Sequence, residues 1–259
     1  MRSVMNDMMP ISLAEMEGVK LMNRVDTKFV APARLLSDIL RMAQADYYVQ
    51  DVDGKRIAAY DTLYYDTPDM QMYIRHHDRQ LRRQKIRVRT YVDSHLTFLE
   101  VKNKTNKGRT KKKRIEVNTT DLRAIDEKQR AWLKGKSWYE VASLQPQLRT
   151  RFERITLVNK EMTERLTIDT ALRWENVQTG KTAALGEVVV IELKRDGNQP
   201  SEMAEILRAL HVKPLKMSKY CIGVALTNPT VKNNRFRPKL RRIAKIAAPV
   251  NGVAEKIER

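Results

Sequence analysis

The sequence predicts an α+β fold built on a largely antiparallel sheet. Two patterns carry that prediction. Strand-like segments run in groups with helical segments inserted between the groups, unlike the one-for-one alternation of a βαβ repeat. Six of the strand-like segments alternate charged and apolar residues with a period of two, which puts the charges of each segment on one face. Residues 1–227 show no internal repeat and read as one domain. Residues 228–259 carry no acid before Glu255 and read as a flexible basic tail, disordered or forming a short basic helix.

In order along the chain, Ser12 before "LAEME" is a candidate N-cap for a short helix. "NRVDTKFV" (23–30) is extended up to Ala31-Pro32, where a helix through about Arg41 begins. "RIAAYDTLYYD" (56–66) is a Tyr-rich strand closed by Thr67-Pro68, and 69–80 is helical or irregular. Strands follow at 85–92, 96–103 and 111–117, with "DS" joining the first two. Helical periodicity returns at 120–134 and 137–144, and strands are expected at 149–158, 164–169, 172–176 and 186–195. Helices at 200–210 and 218–226 complete the domain.

Composition narrows the partners. Lys and Arg number 50 against 31 Asp and Glu, a formal charge of +19, so an anionic partner is expected. The single Cys221 excludes an internal disulfide and fits a reducing compartment. No apolar run approaches the roughly 20 residues that span a bilayer, and the N-terminus has no continuous apolar stretch of a secretory signal. A soluble cytoplasmic protein is the expectation.

The charged faces make the expectation sharper. Arg87 and Arg89 oppose Ile86 and Val88, and Glu100 and Lys102 oppose Leu99 and Val101. Lys112, Arg114 and Glu116 oppose Ile115 and Val117. Arg154 opposes Ile155; Arg165 and Asp169 flank Leu166 and Ile168; Glu192 and Lys194 oppose Ile191 and Leu193. One such strand is an ordinary sheet face in water. Six of them, rich in cations that repel when side by side, point instead to a sheet curled with its charges inward around a polyanion. Carboxylates among the cations suit Mg²⁺ or Mn²⁺ bridging to phosphate oxygens.

These segments, in this order, resemble the VTC (vacuolar transporter chaperone) domain. It is the polyphosphate polymerase branch of the triphosphate tunnel metalloenzymes, related to the CYTH-type triphosphatases. The resemblance runs from about Asn23 to Leu226. "NRVDTKFVAP" is similar to the opening strand, with Arg24-x-Asp26-x-Lys28 where the triphosphatases carry ExExK. "IRVRTY", "FLEVKNK", "LRTRFERITL", "LTID", "VIELK" and "MSKYCIG" look like the later motifs. The resemblance implies a closed antiparallel β-tunnel of about eight strands with flanking helices, and a metal-dependent reaction on a phosphoanhydride. It implies that Lys28, Arg87, Arg89, Lys102, Arg154 and Lys219 grip the reacting phosphates. Arg24, Lys112, Arg114, Arg165, Lys194, Ser218 and Tyr220 would bind substrate around them. Glu192 would hold Mn²⁺ or Mg²⁺, helped by Glu100 or Asp169, and Asp26 stands where a glutamate is usual, which shortens its reach to a second metal contact. Fungal members of that branch also carry a phosphate-sensing SPX domain and membrane helices. No segment here reads as either, so a membrane channel would have to be a separate protein.

Four functions follow. The first is ATP-dependent polyphosphate synthesis; the second is hydrolysis of tripolyphosphate or a nucleoside triphosphate by the same site. The third is a non-catalytic module that binds polyphosphate or nucleotide. Nucleic acid ranks last, because the basic strands carry few aromatics for base stacking and are interleaved with carboxylates. Among the remaining residues, His76 and His77 read as surface histidines and Cys221 as a small core residue. Asp66 reads equally as a turn cap or a tunnel residue. Trp132, Trp138 and Trp174 read as packing under the helices. Metal identity, primer and oligomeric state are not set by these patterns.

Overall fold

The computed structural model describes residues 1–16, 19, 24–197 and 199–248, apart from the side chain of Arg24. The helices are α1 (Arg2–Asp7), α2 (Leu13–Met16), α3 (Leu36–Ala43), α4 (Gln71–His77), α5 (Glu127–Lys134), α6 (Glu202–Ala209), α7 (Lys219–Thr227) and α8 (Arg237–Ala247). The strands are β1 (Pro10–Ile11), β2 (Arg24–Pro32), β3 (Tyr47–Gln50), β4 (Ala58–Asp66), β5 (Arg83–Tyr91), β6 (Leu96–Lys104) and β7 (Thr110–Glu116). After α5 come β8 (Gln145–Asn159), β9 (Glu164–Asn176), β10 (Thr182–Ala184) and β11 (Val188–Asp196).

Eight strands form a continuous antiparallel path, β2-β11-β9-β8-β4-β5-β6-β7, with β3 and β10 appended and β1 paired in parallel to β3. The path curls round one cavity of about 1090 Å³ whose wall draws on all eight strands, so the tunnel fold is present. Main-chain pairing runs the whole way round except between the two end strands, β2 and β7, which are not paired among the described residues.

Strand parity decides what lies inside. The apolar residues that oppose the charges are buried outside the tunnel: Ile155, Leu157, Leu166, Ile168, Ile191 and Leu193 pack under α1, α3 and α6. Ile86, Val88, Leu99 and Val101 pack under α5. Helix α3 fits this cover because Leu36, Ile39, Leu40 and Ala43 recur at helical spacing.

Helix α7 is different. It is buried almost all round, as a helix apolar on every side must be. Ser218 caps it by accepting the Cys221 backbone N–H at 3.2 Å. It fills one end of the tunnel interior, against Val30, Leu148, Trp174 and Val190. Two irregularities let β9 serve both environments. Ala171 adopts a left-handed φ of 49°, and the β8–β9 register shifts between Arg151 and Glu153. Asp169 on one side of this bulge and Leu172 and Trp174 on the other therefore all point inward. The sequence reads two strands here, 164–169 and 172–176; the chain makes one bulged strand.

Other elements differ from the sequence reading in identifiable ways. Helix α5 starts only at residue 127, where Asp126 and Gln129 form a reciprocal capping box. Residues 137–144 hold no α-helix, only a 3₁₀ turn at Val141–Ser143. Helix α1 and the short strands β1, β3 and β10 carry too little periodicity to be read from the sequence. Within the basic segment after residue 227, Phe236 and Ile243 of the α8 region are buried against the α7 cluster. Residues 249–259 of the expected tail lie outside the described residues.

Gly223 marks how tightly α7 is seated. A β-carbon there would come within 2.4 Å of Trp174 Cδ1 and 2.6 Å of Leu148 Cδ2. Gly223→Ala is expected to cost about 1–3 kcal/mol of stability by overpacking. Denaturant unfolding measures this, and an unchanged midpoint would mean that α7 does not sit inside the tunnel.

Candidate functional site

Fourteen lysines and arginines line the cavity among the described residues, against three carboxylates, Asp26, Asp93 and Glu192. Two further carboxylates, Glu100 and Asp169, lie behind the surface at 0% and 1% exposure. Register explains the meeting of side chains far apart in sequence. Arg87 stands opposite Glu100, and Glu100 opposite Arg114, across β5, β6 and β7. Arg154 stands opposite Asp169 across β8 and β9, and Glu192 opposite Lys28 across β11 and β2.

Three of these carboxylates, Glu100, Asp169 and Glu192, each have two cations around them. Glu100 accepts from Arg87 at 2.5 Å and from Lys112 at 3.0 Å. Asp169 takes a bidentate grip from Arg154, at 2.6 and 2.9 Å, and a bond from Lys219. Glu192 accepts from Lys28 at 2.5 Å and has Lys194 beside it. Burial opposes ionisation of each acid, but the neighbouring cations override it and hold all three well below the usual carboxylate range. Each triad keeps one positive charge in excess.

Arg89 and Lys102 are among the lining cations that make no ion pair with a carboxylate among the described residues. Arg89 donates only to Thr62 Oγ1, at 3.1 Å. Burial, and then Arg87, lower its pKa to about 10. Lys102 is pushed well below the usual lysine range, first by the charge on Arg87 and then by burial. Burial lowers Lys194 to about 8, despite Glu192.

Aromatic faces hold the arginines where carboxylates do not. Tyr60 and Phe152 stack at 5.1 Å, with the Arg89 and Arg154 guanidinium groups 5.3 and 5.0 Å from the Tyr60 ring. Lys219 lies 4.9 Å from the Phe152 ring, and Arg87 donates to the Tyr64 hydroxyl at 3.1 Å. The sequence reading missed Tyr60, Thr62 and Tyr64. The signal was available, because parity along β4 puts these three on the face that meets Arg87 and Arg89.

Most residues expected in the site reach the cavity: Asp26, Lys28, Arg87, Arg89, Lys102, Lys112, Arg114, Arg154, Arg165, Glu192, Lys194, Ser218 and Lys219. Arg24 is in β2, but its side chain lies outside the described residues. Two expectations need correction, and Asp66 takes the turn-cap alternative of its two readings. Tyr220 is not on the wall: it is buried beside Tyr64 and donates to Asp66 at 2.5 Å. Glu100 and Asp169 are enclosed by the cations that they anchor rather than presented to a metal. Asp66 is a buried brace, accepting the backbone N–H groups of Thr67, Met72 and Tyr73 as well as the Tyr220 hydroxyl.

The histidines also differ from the surface reading. His77 is buried between Asp78 and Asn234, at 2.8 Å from each. His76 lines the cavity, and burial followed by Lys85 and Arg83 holds its imidazole neutral, well below the ordinary pKa. Cys221 and Trp174 are core residues as expected, whereas Trp138 is 43% exposed.

The VTC domain family model matches residues 23–228. The chain belongs to the VTC domain family. No curated protein matches this VTC domain in sequence. Solved structures similar to it include the Hippeastrum protein HpAC1, described as an adenylyl cyclase candidate with a dominant triphosphatase activity. That likeness has 13% identity and a TM-score of 0.48, covering 79% of this chain and 96% of that one. Candidate adenylate cyclases from Vibrio parahaemolyticus (11% identity, TM-score 0.46, covering 78% of this chain and 99% of that one) and Bacillus halodurans (12%, 0.45, 76% and 96%) are also similar.

Two outcomes follow from the charge arrangement. Arg154→Met leaves Asp169 buried with one partner and is expected to cost about 3–5 kcal/mol. Lys102→Met removes a cation on which the repulsion of Arg87 and burial outweigh the attraction of Glu192 and Glu100, so its thermal midpoint should stay level or rise while anion binding weakens. Differential scanning calorimetry of both variants checks the contrast; equal losses would contradict the triads. The depressed pKa values of Lys102 and Lys194 also fix a sign. Lys194 loses its proton as pH rises through about 8, so tripolyphosphate affinity should fall across that window, with net proton uptake on binding. Calorimetric titration in buffers of different ionisation enthalpy reads this uptake.

Proposed function

We propose that this VTC domain transfers the γ-phosphate of ATP to a growing inorganic polyphosphate chain inside the tunnel, releasing ADP. The observation that carries this reading is the excess of inward cations, arranged so that Glu100, Asp169 and Glu192 each position two of them and leave a net positive charge. Such a lumen is costly when empty and is neutralised by a chain of phosphates. Phosphoryl transfer asks a protein for positioning and charge neutralisation, which fixed guanidinium and ammonium groups supply.

In this reading a terminal oxygen of the chain attacks the γ-phosphorus, the bond to the β-bridging oxygen breaks, and the electron pair leaves with ADP. Arg87, Arg89, Arg154, Lys28, Lys102 and Lys219 grip the equatorial and leaving oxygens, the arginines through two N–H groups where geometry allows. Lys112, Arg114, Arg165, Lys194 and Ser218 extend the track on either side. Among the described residues no three His, Cys, Asp or Glu side chains gather to hold a metal ion. The donors present fit Mg²⁺ or Mn²⁺ shared with substrate phosphates. Glu192 is partly exposed on the wall, and Asp26 lies on the same face, opposite Lys194. Those two would hold the ion, which when bound would neutralise charge on the phosphate oxygens.

No helix among the described residues is long and apolar enough to cross a membrane. We place the domain in the cytoplasm, handling ATP and polyphosphate or triphosphate, with any membrane channel supplied by a separate protein. The test is incubation with ATP and Mn²⁺, with products resolved on a gel stained for polyphosphate. Long chains are expected; orthophosphate alone would make water the acceptor and the domain a triphosphatase. Intact ATP would leave only a binding module. Arg89→Ala, which orphans no buried acid, should lower turnover by about 10²–10³ while the fold persists.

A further inference from the structure

Outside the tunnel, one stretch of surface combines apolar exposure with uncompensated charge. Leu81 is 61% exposed in the turn between α4 and β5, and Trp138, after α5, is 43% exposed. Single exposed apolar residues are ordinary. These two are set among Arg79, Arg82, Lys134 and Lys136, all exposed, and none of the four makes an ion pair among the described residues. The Arg82 guanidinium lies 5.5 Å from the Trp138 ring. The arrangement is built rather than incidental. Gln84 accepts the Trp138 backbone N–H at 3.0 Å and donates to the Lys136 carbonyl at 2.9 Å, tying the 134–138 segment onto the start of β5. The acids nearest in sequence, half-buried Asp78 and exposed Glu140, flank the patch, and Asp78 is engaged by His77 and Lys232.

We propose that this patch docks the domain on an anionic lipid bilayer. Leu81 and the Trp138 ring would enter the headgroup boundary, while the four cations meet lipid phosphates and carboxylates. An indole beside long basic side chains suits that boundary, where one end of each group is apolar and the other wet. A nucleic-acid backbone would satisfy the cations but gives Leu81 nothing to enter. The neighbouring residues on β5, Arg83 and Lys85, point to the opposite face and line the tunnel, with Arg83 opposite Lys104. Docking therefore brings a cationic rim of the tunnel to the bilayer. This holds whichever phosphoanhydride reaction the tunnel performs.

The test is co-sedimentation of the full chain with vesicles of phosphatidylcholine containing roughly one-quarter phosphatidylserine, against phosphatidylcholine alone, with tryptophan emission recorded. Binding to the anionic vesicles with a blue shift is expected. Leu81→Ser with Trp138→Ser, and separately Lys134→Glu with Lys136→Glu, should each weaken sedimentation with the anionic vesicles more than about ten-fold. The far-UV circular dichroism and thermal midpoint should stay unchanged in both pairs, showing that they fold. No sedimentation with anionic vesicles, or binding that survives both pairs of substitutions, would overturn the proposal. So would sedimentation lost only when the exposed arginines of α8 are reversed.

Discussion

A cation enclosed by protein must be answered by negative charge, and this molecule answers only part of its own. Glu100, Asp169 and Glu192 are each shared between two basic side chains, so the lumen is held in shape by ion pairs yet stays electropositive. Full neutralisation from within would give a stable barrel with nothing to bind. No neutralisation would cost several kcal/mol for each buried charge and would not fold. The two-to-one ratio lies between these limits, and the guest completes it.

The rest of the architecture serves that arrangement. Antiparallel register brings Arg87 to Glu100 and Arg154 to Asp169, although each pair is separated in sequence by a turn. The bulge at Ala171 lets one strand present Asp169 to the polar lumen and Trp174 to α7. Helix α7 then closes the apolar end, and its own first residue, Lys219, reaches Asp169 from the helix N-terminus. The plug and the charged site are thus joined at one residue.

Much of this was legible in the sequence because alternation along a strand is a local property. Which face Arg87, Lys102, Arg154 and Glu192 occupy follows from their immediate neighbours, and those faces are the ones observed. Partnership is not local. Nothing near Glu100 or Asp169 says that a buried guanidinium will claim its oxygens, so their reading as open metal ligands was the natural error. Tyr220 failed for a similar reason: on a helix buried all round, position alone does not say whether a hydroxyl meets substrate or a buried acid such as Asp66. His77 looked like a surface residue from its charged neighbours, because the segment that covers it, around Asn234 and Phe236, lies more than 150 residues away in the chain. The strand pair read at 164–176 was one strand for lack of any sequence sign of the left-handed residue within it.

That β2 and β7 are not paired among the described residues has a mechanical meaning. Elsewhere around the wall, strand spacing is set by ladders of main-chain hydrogen bonds, so changing the girth would mean breaking them. On the free side of β2 the main chain is tied, among the described residues, only by the Leu215 N–H on the Lys28 carbonyl, at 2.8 Å, and an isolated bridge from Phe29 to Pro214. One bridge is a lighter tie than a ladder, so girth is least constrained at this edge.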